Sequence, residues 1–292
     1  MPSSPLAPSR STGRSDGLGP LAPVRRARRR VRAVDVAVDA TVGFVLHQSG
    51  RNAAVLAYYG FLTLFPLIMV ATTVLGFVLQ GRPELETDIV DTALAQIPVL
   101  GQQLELQAGR VDGSVVALIV GLAAALWGST RAFAGLQTAL DDIWEVPIPD
   151  RPNIVVRRIH SLVGVLVIGS AQVAMVTVTA VAGWADVGAI SIVFILIGVL
   201  IVNTVVVGTM FRYLTAANVG WSMVKYGAIL SGVSYTILQV FGTSIMTRLL
   251  SGAQSVYGAF ASVLAITGWL SIHAVISLYS AEINAVIAAR RR

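Results

Sequence analysis

Six long apolar stretches, separated by short polar turns, run through the chain from Val55 to Ala289. They make lipid the solvent. The first runs from Val55 to Leu79, with no charged side chain between Asn52 and Gly81. A helix needs roughly 20 apolar residues to cross a hydrocarbon core about 30 Å thick, and this stretch is long enough. The others begin near Val115, Ser161, Ala189, Val224 and Tyr257. Inside lipid every backbone amide must find its partner within the protein, so such runs form helices and not open strands. The expected fold class is all-α: a polytopic membrane protein with six transmembrane helices over 51–289. Composition agrees, since only 12% of the 292 residues are charged, where a soluble domain carries about 25%. Mean hydropathy is +0.76.

The basic residues sort by side of the membrane. With the N-terminus in the cytoplasm, Arg10, Arg14, Arg25, Arg26, Arg28, Arg29, Arg30, Arg32 and Arg51 lie inside. So do Arg131, Arg151, Arg157, Arg158, Arg212, Lys225 and the basic end Arg290, Arg291 and Arg292. Arg82, Arg110 and Arg248 fall outside. The positive-inside rule therefore places both termini in the cytoplasm, which demands an even number of spans.

Outside the spans three segments stand apart. Residues 1–23 are rich in Pro, Ser and Gly without apolar periodicity, and are expected to form a disordered cytoplasmic tail. A secretory signal does not fit, because Asp35 and Asp39 interrupt the place of an uncharged core. Over 24–50, Val31, Val34, Val38, Val42 and Val45 recur at steps of three and four behind the cluster VRRARRRVR. That pattern predicts an amphipathic helix, either lying on the cytoplasmic membrane surface or packed on the protein itself. In the first case, anionic lipid headgroups would meet the cluster Arg25–Arg32, at about 1 kcal/mol per arginine. The loop over 80–112 mixes carboxylates with Ile89, Val90, Leu94, Ile97, Leu100 and Leu104, and predicts a small external helical cap broken at Pro98.

Three stretches carry a resemblance: AYYGFLTLFPLIM from Ala57, LWGSTRAFAGLQTALDDIWEVP from Leu126, and YGAFASVLAITGWLSIHAVISLYSAEINA from Tyr257. In order and spacing they resemble the YihY/BrkB family of bacterial inner-membrane proteins, formerly mislabelled ribonuclease BN. The resemblance implies a six-helix membrane protein with a cytoplasmic N-terminus, of the transporter or virulence-factor kind. Movement of lipid and export of small organic molecules are the roles it suggests.

Enzyme motifs are absent. There is no cysteine, so thiolate metal sites and a cysteine nucleophile are excluded. The only lysine precedes Tyr226, so no phosphate-binding Gly-Lys-Ser/Thr loop exists. The histidines His47, His160 and His273 fall in separate segments and form no ligand motif. No catalytic, metal or cofactor role is expected, and a nuclease would lack its metal ligands. No nucleic-acid partner is expected either.

Polar residues within the spans are the candidate site. Arg131 and Glu282 lie at matched depth, about one turn from the cytoplasmic ends of their spans. A lone charge within a span costs about 2.5 to 3.5 kcal/mol, so the two are expected to pair. Arg51, Asn52 and Asn284 fall in the same layer. The layer is either a vestibule for an anion or headgroup or a helix-clamping ion pair. Tyr58, Tyr59 and Pro66 could line a cavity opened by a proline kink, or sit in an aromatic belt beside a packing kink. Asn203 and His273 could line the same path or bond helix to helix.

Two functions follow as expectations. One is a transporter-like protein that moves a lipid, another amphiphile or a small organic anion across the cytoplasmic membrane. The alternative is a non-transporting scaffold for envelope assembly, with membrane lipids, a second copy or an envelope protein as partners.

Overall fold

The structure, a computed structural model, describes residues 32–78, 115–184, 189–257 and 260–291. The tail over 1–23, the cluster Arg25–Arg30, the loop over 80–112 and Arg292 lie outside the described residues. Seven α-helices, and no strand, make up the described chain: α1 (Arg32–Leu46), α2 (Ser49–Val78), α3 (Val115–Ile143), α4 (Ile154–Trp184), α5 (Ala189–Tyr213), α6 (Trp221–Tyr257) and α7 (Phe260–Ala289). A short 3-10 turn, Ile148–Asp150, lies between α3 and α4.

Five of these are long and apolar enough to cross a membrane, over Ser49–Val70, Leu118–Ile143, Ile154–Ala171, Ile195–Tyr213 and Phe260–Ala289. The sixth expected span, α6, is longer, with 37 residues, but Ser231, Ser234, Thr236 and Gln239 thin its apolar character. It is not among the five.

The six long helices touch in a closed cycle: α2 to α3, α3 to α4, α4 to α5, α5 to α6, α6 to α7 and α7 back to α2. Helix α7 also meets α1 and α3, which makes it the hub. The buried apolar core gathers Leu140 and Ile143 of α3, Phe211 of α5, Val224 of α6 and Leu278 of α7. Leu140, Ile143, Phe211 and Val224 lie near one end of their helices, and Leu278 of α7 packs against them from about three turns inside its own end.

The ends themselves are made by local rules. Glu145 takes a left-handed φ of 52°, and the N–H of Val146 reaches the carbonyl of Asp141 at 2.8 Å. That is the pattern of a Schellman cap, and it stops α3. The side chain of Asn153 accepts the N–H of Val156 at 3.0 Å and caps the start of α4. Gln48 takes a φ of 53° between α1 and α2, so the chain turns sharply there. His47 and Ser49 flank that turn.

Helix α1 packs on α7 and α2. Its contact face is not the valine stripe. Ala40 is buried while Val42, Val45 and Leu46 stay exposed, and Phe44 meets Tyr279 edge-on at 6.0 Å. Tyr279 also donates to the carbonyl of Ala37 at 3.2 Å.

Candidate functional site

Glu282 is 1% exposed on α7. A carboxylate so buried must find donors, because burial without partners is costly. It finds them at the α1–α2 turn. His47 Nδ1 lies 3.0 Å from Oε1 and 3.2 Å from Oε2, and the Ser49 hydroxyl donates to Oε1 at 2.9 Å. Gly43, one turn back on α1, admits the carboxylate: a Cβ there would lie 2.6 Å from Oε2. The left-handed Gln48 brings two donors, two residues apart, to one acceptor.

The expected Arg131–Glu282 pair is therefore not formed. Arg131 is exposed and its guanidinium lies 5.7 Å from the Trp127 ring. The reason is angular. Val120, Ala124, Trp127 and Arg131 form one exposed stripe on α3, whereas Gln137, Leu140 and Asp141 face inward. Matched depth did not imply a matched face.

A cavity of about 410 Å³ opens beside Glu282, lined among others by Asp39, Gly43, His47, Trp144, Glu145 and Ala285. His47 spans it: its Nε2 lies 3.9 Å from Glu145. Among the described residues the cavity's ionisable lining is three carboxylates and one histidine, and one of the carboxylates, Asp39, is paired with Arg290. A second, more open cavity of about 450 Å³ is lined by Arg51, His47, Asp142, Glu145 and Arg151. Arg151 is already engaged there, with Asp142 at 2.8 Å and the Val146 carbonyl at 3.0 Å. Neither Arg131 nor Tyr58 lines these cavities.

The same layer holds other polar clamps. Asp141 accepts the N–H of Ala216 at 2.7 Å, tying α3 to the α5–α6 turn. Gln137 donates to the Arg157 carbonyl and to Ser161, each at 3.0 Å, and Arg157 donates to Thr138 at 2.6 Å, which joins α3 to α4. Asn284 is fully buried and accepts the N–H of Gly227 at 2.7 Å, which joins α7 to α6. Arg290 bonds Asp35 at 2.7 Å and Asp39, and Asp39 chiefly raises its pKa.

Of the remaining sequence candidates, Arg51 lies exposed at the mouth of the open cavity. Asn52 is half-buried, and its Nδ2 has no hydrogen-bond partner among the described residues. Tyr58 is 55% exposed and stacks edge-on with Tyr59 at 5.3 Å. Pro66 lies within α2, with its carbonyl close to Gly121 of α3. Asn203 donates to Gln239 at 3.1 Å and to Thr236 at 3.3 Å, bonding α5 to α6. His273 bonds the Trp269 carbonyl at 2.9 Å and packs between the rings of Trp269 and Tyr235. The structure brings none of these to Glu282.

His47, Ser49 and Gly43 were missed by sequence reasoning. The signal that could have found them was local: Gln48-Ser49-Gly50 interrupts two apolar periods, at the depth where α7 carries its only carboxylate.

Comparison with known proteins follows the same outline. Residues 40–292 match the family model described as "Virulence factor BrkB". Inner membrane protein YhjD of Escherichia coli (strain K12) is 24% identical over 271 residues, covering 84% of this chain and 78% of YhjD. An uncharacterized protein of Dickeya dadantii (strain 3937), Dda3937_02003, is 26% identical over 165 residues, covering 54% of this chain and 50% of its own length. No solved structure matches.

Proposed function

Since the chain belongs to the BrkB family of membrane proteins, matched along residues 40–292, we propose that it is a transporter-like protein that moves an amphiphile across the inner membrane. A buried carboxylate at the edge of a cavity, within a membrane-spanning helix, carries this reading: Glu282, held by His47 and Ser49. An ionisable group is expensive in a span and marks a substrate or ion path by default. The cavity wall is otherwise largely apolar, with Val42, Leu46, Ile143 and Val286, and so suits a molecule with a tail. With Asp39 already paired to Arg290, Glu145 and Glu282 favour a headgroup that carries an ammonium over a small organic anion.

The proposal includes six spans. Helix α6 is about 55 Å long at 1.5 Å per residue, ample to cross. It joins α5 through the turn after Tyr213 and α7 through two residues. If α5 and α7 cross in the same direction, α6 must return between them. The Asn284–Gly227 and Asp141–Ala216 bonds put the end of α7, the start of α6 and the ends of α3 and α5 in one layer. The basic residues at that layer favour the cytoplasm.

The test is movement of labelled lipids in reconstituted vesicles, with folding and orientation of the protein established first. Lipids with ammonium headgroups should move above the empty-vesicle rate, and Glu282→Gln should slow them at least tenfold. Small organic anions should stay near background. If a broad panel moves no faster than in empty vesicles, the scaffold reading replaces transport.

A further inference from the structure

A third cavity, of about 500 Å³, lies on the other side of α7, between α1 and the start of α6. Its walls are largely apolar, with Val36 and Ala37 of α1 and Ile283 and Ile287 of α7, and Arg290, paired with Asp35 and Asp39, also lines it. Tyr226 of α6 and Arg291, just past α7, close one end.

We propose that this groove holds one anionic phospholipid, its acyl chain along Ile283 and Ile287 and its phosphate between Arg291 and Lys225.

Charge decides the occupant. The carboxylates nearest the groove, Asp35 and Asp39, are taken by Arg290. Among the described residues Arg291 pairs with no carboxylate: it donates to the Tyr226 hydroxyl at 2.8 Å and to the Ser222 carbonyl at 3.5 Å. Its guanidinium lies 5.2 Å from the Tyr226 ring, and the Lys225 ammonium lies 5.1 Å from the same ring. Two cations thus flank one tyrosine at the end of an apolar groove, with donors to spare. Guanidinium matches phosphate in geometry as well as charge, and a tyrosine at that depth suits the lipid headgroup level.

Like charge argues against the obvious internal occupant. The segment before α1 reads VRRARRR, so it would be repelled by Arg291 and Lys225. It would instead add to the attraction for an anionic lipid. The inference rests on membrane placement of this end and not on transport, so binding can be scored when no flux is seen.

The experiment uses the full-length protein purified in detergent, with lipid retention measured by native mass spectrometry. Phosphatidylglycerol and phosphatidylcholine are offered together. The parent should retain phosphatidylglycerol preferentially, one molecule tightly. Lys225→Gln with Arg291→Gln should reduce that preference by about thirtyfold, as the loss of two charges near an anionic headgroup implies. Ile287→Trp, which fills the groove without changing charge, should also abolish the tight molecule. Arg158→Gln, an exposed arginine elsewhere at the same end, should leave it in place. Equal retention of both lipids by the parent, or an unchanged preference in both groove variants, would overturn the proposal. So would displacement by glycerol phosphate as effective as by phosphatidylglycerol, since the ligand would then be a free phosphate. The elution profile of each variant reports folding, and because one variant changes charge and the other volume, loss of the tight lipid in both with an unchanged profile points to the groove itself.

Discussion

Exchanging His47 for alanine and Glu282 for glutamine, singly and together, tests the buried pair at the α1–α2 turn. His47→Ala leaves a carboxylate 1% exposed with Ser49 as its remaining donor. Stranding one partner of a buried pair costs about 3 to 5 kcal/mol. The histidine side chain keeps 21% of its exposure, so water reaches the site and about 3 kcal/mol is expected. Glu282→Gln removes the charge and keeps the shape. It trades charge-assisted hydrogen bonds for neutral ones, a loss of about 1 to 2 kcal/mol. In the double variant no charge is stranded, so its cost should fall short of the sum of the singles by about 1 to 3 kcal/mol. The assay is reversible unfolding in mixed micelles by titration with a denaturing detergent. A second cycle pairs Arg131→Ala with Glu282→Gln. Because Arg131 lies on the exposed stripe of α3, those effects should add within about 0.5 kcal/mol. Additivity in the first cycle together with coupling in the second would refute the placement of α1 against α7 and restore the pair expected from depth alone.

Close helix contact gives a second prediction. A Cβ on Gly227 would lie 2.1 Å from the Ser280 carbonyl and 2.5 Å from Asn284 Nδ2, so Gly227→Ala must push α6 from α7. Overpacking costs about 1 to 3 kcal/mol, and the clash with backbone places this site at the upper end, beyond the roughly 1 kcal/mol that alanine adds to helix propensity. Gly169 has nothing within 4 Å of its would-be Cβ, so Gly169→Ala should hold or raise the melting temperature; equal shifts for the two would sink the contact. Topology gives the third. Reporters after Asp16 and Arg292 should stay inside the cell, while those within 80–112 and at the α6–α7 junction appear outside. An external C-terminal reporter would eliminate the sixth span.

The positions of the helices were legible because lipid imposes a length. Apolar stretches expected near Val55, Val115, Ala189 and Tyr257 correspond to α2, α3, α5 and α7, which begin at Ser49, Val115, Ala189 and Phe260. The polar layer was legible in depth, since Glu282, Asn284 and Arg51 do lie at one end. Its pairing was not. In water a helix shows its buried face as an apolar stripe, but lipid is as apolar as a leucine core. On α3 the exposed Val120, Ala124 and Trp127 look no different in type from the buried Ala125, Ala139 and Leu140. Depth can be counted along the chain; the angle around the helix leaves little trace. The same degeneracy explains α1, where Val42 and Val45 stay exposed and Val34 and Val38 are half-buried while Ala40 packs.

Helix α1 is strapped to α7 at three levels, and the three are unequal. Arg290 with Asp35 and Asp39 ties its beginning, Tyr279 with Ala37 and Thr41 ties its middle, and Glu282 with His47 ties the turn at its end. Exposed ion pairs contribute about 0 to 1 kcal/mol each and weaken with salt. The arginine strap is partly exposed on both sides, so salt can loosen it. The Glu282 contact is buried and should hold under the same conditions. Any motion that widens the cavity beside α1 must therefore break or neutralise that contact first. An incoming ammonium could replace His47 on the carboxylate without leaving it unpaired. Under the proposed transport function, that exchange would admit a headgroup while α1 stays tethered by its other two contacts, and the deciding role would fall to Glu282 and not to Arg131.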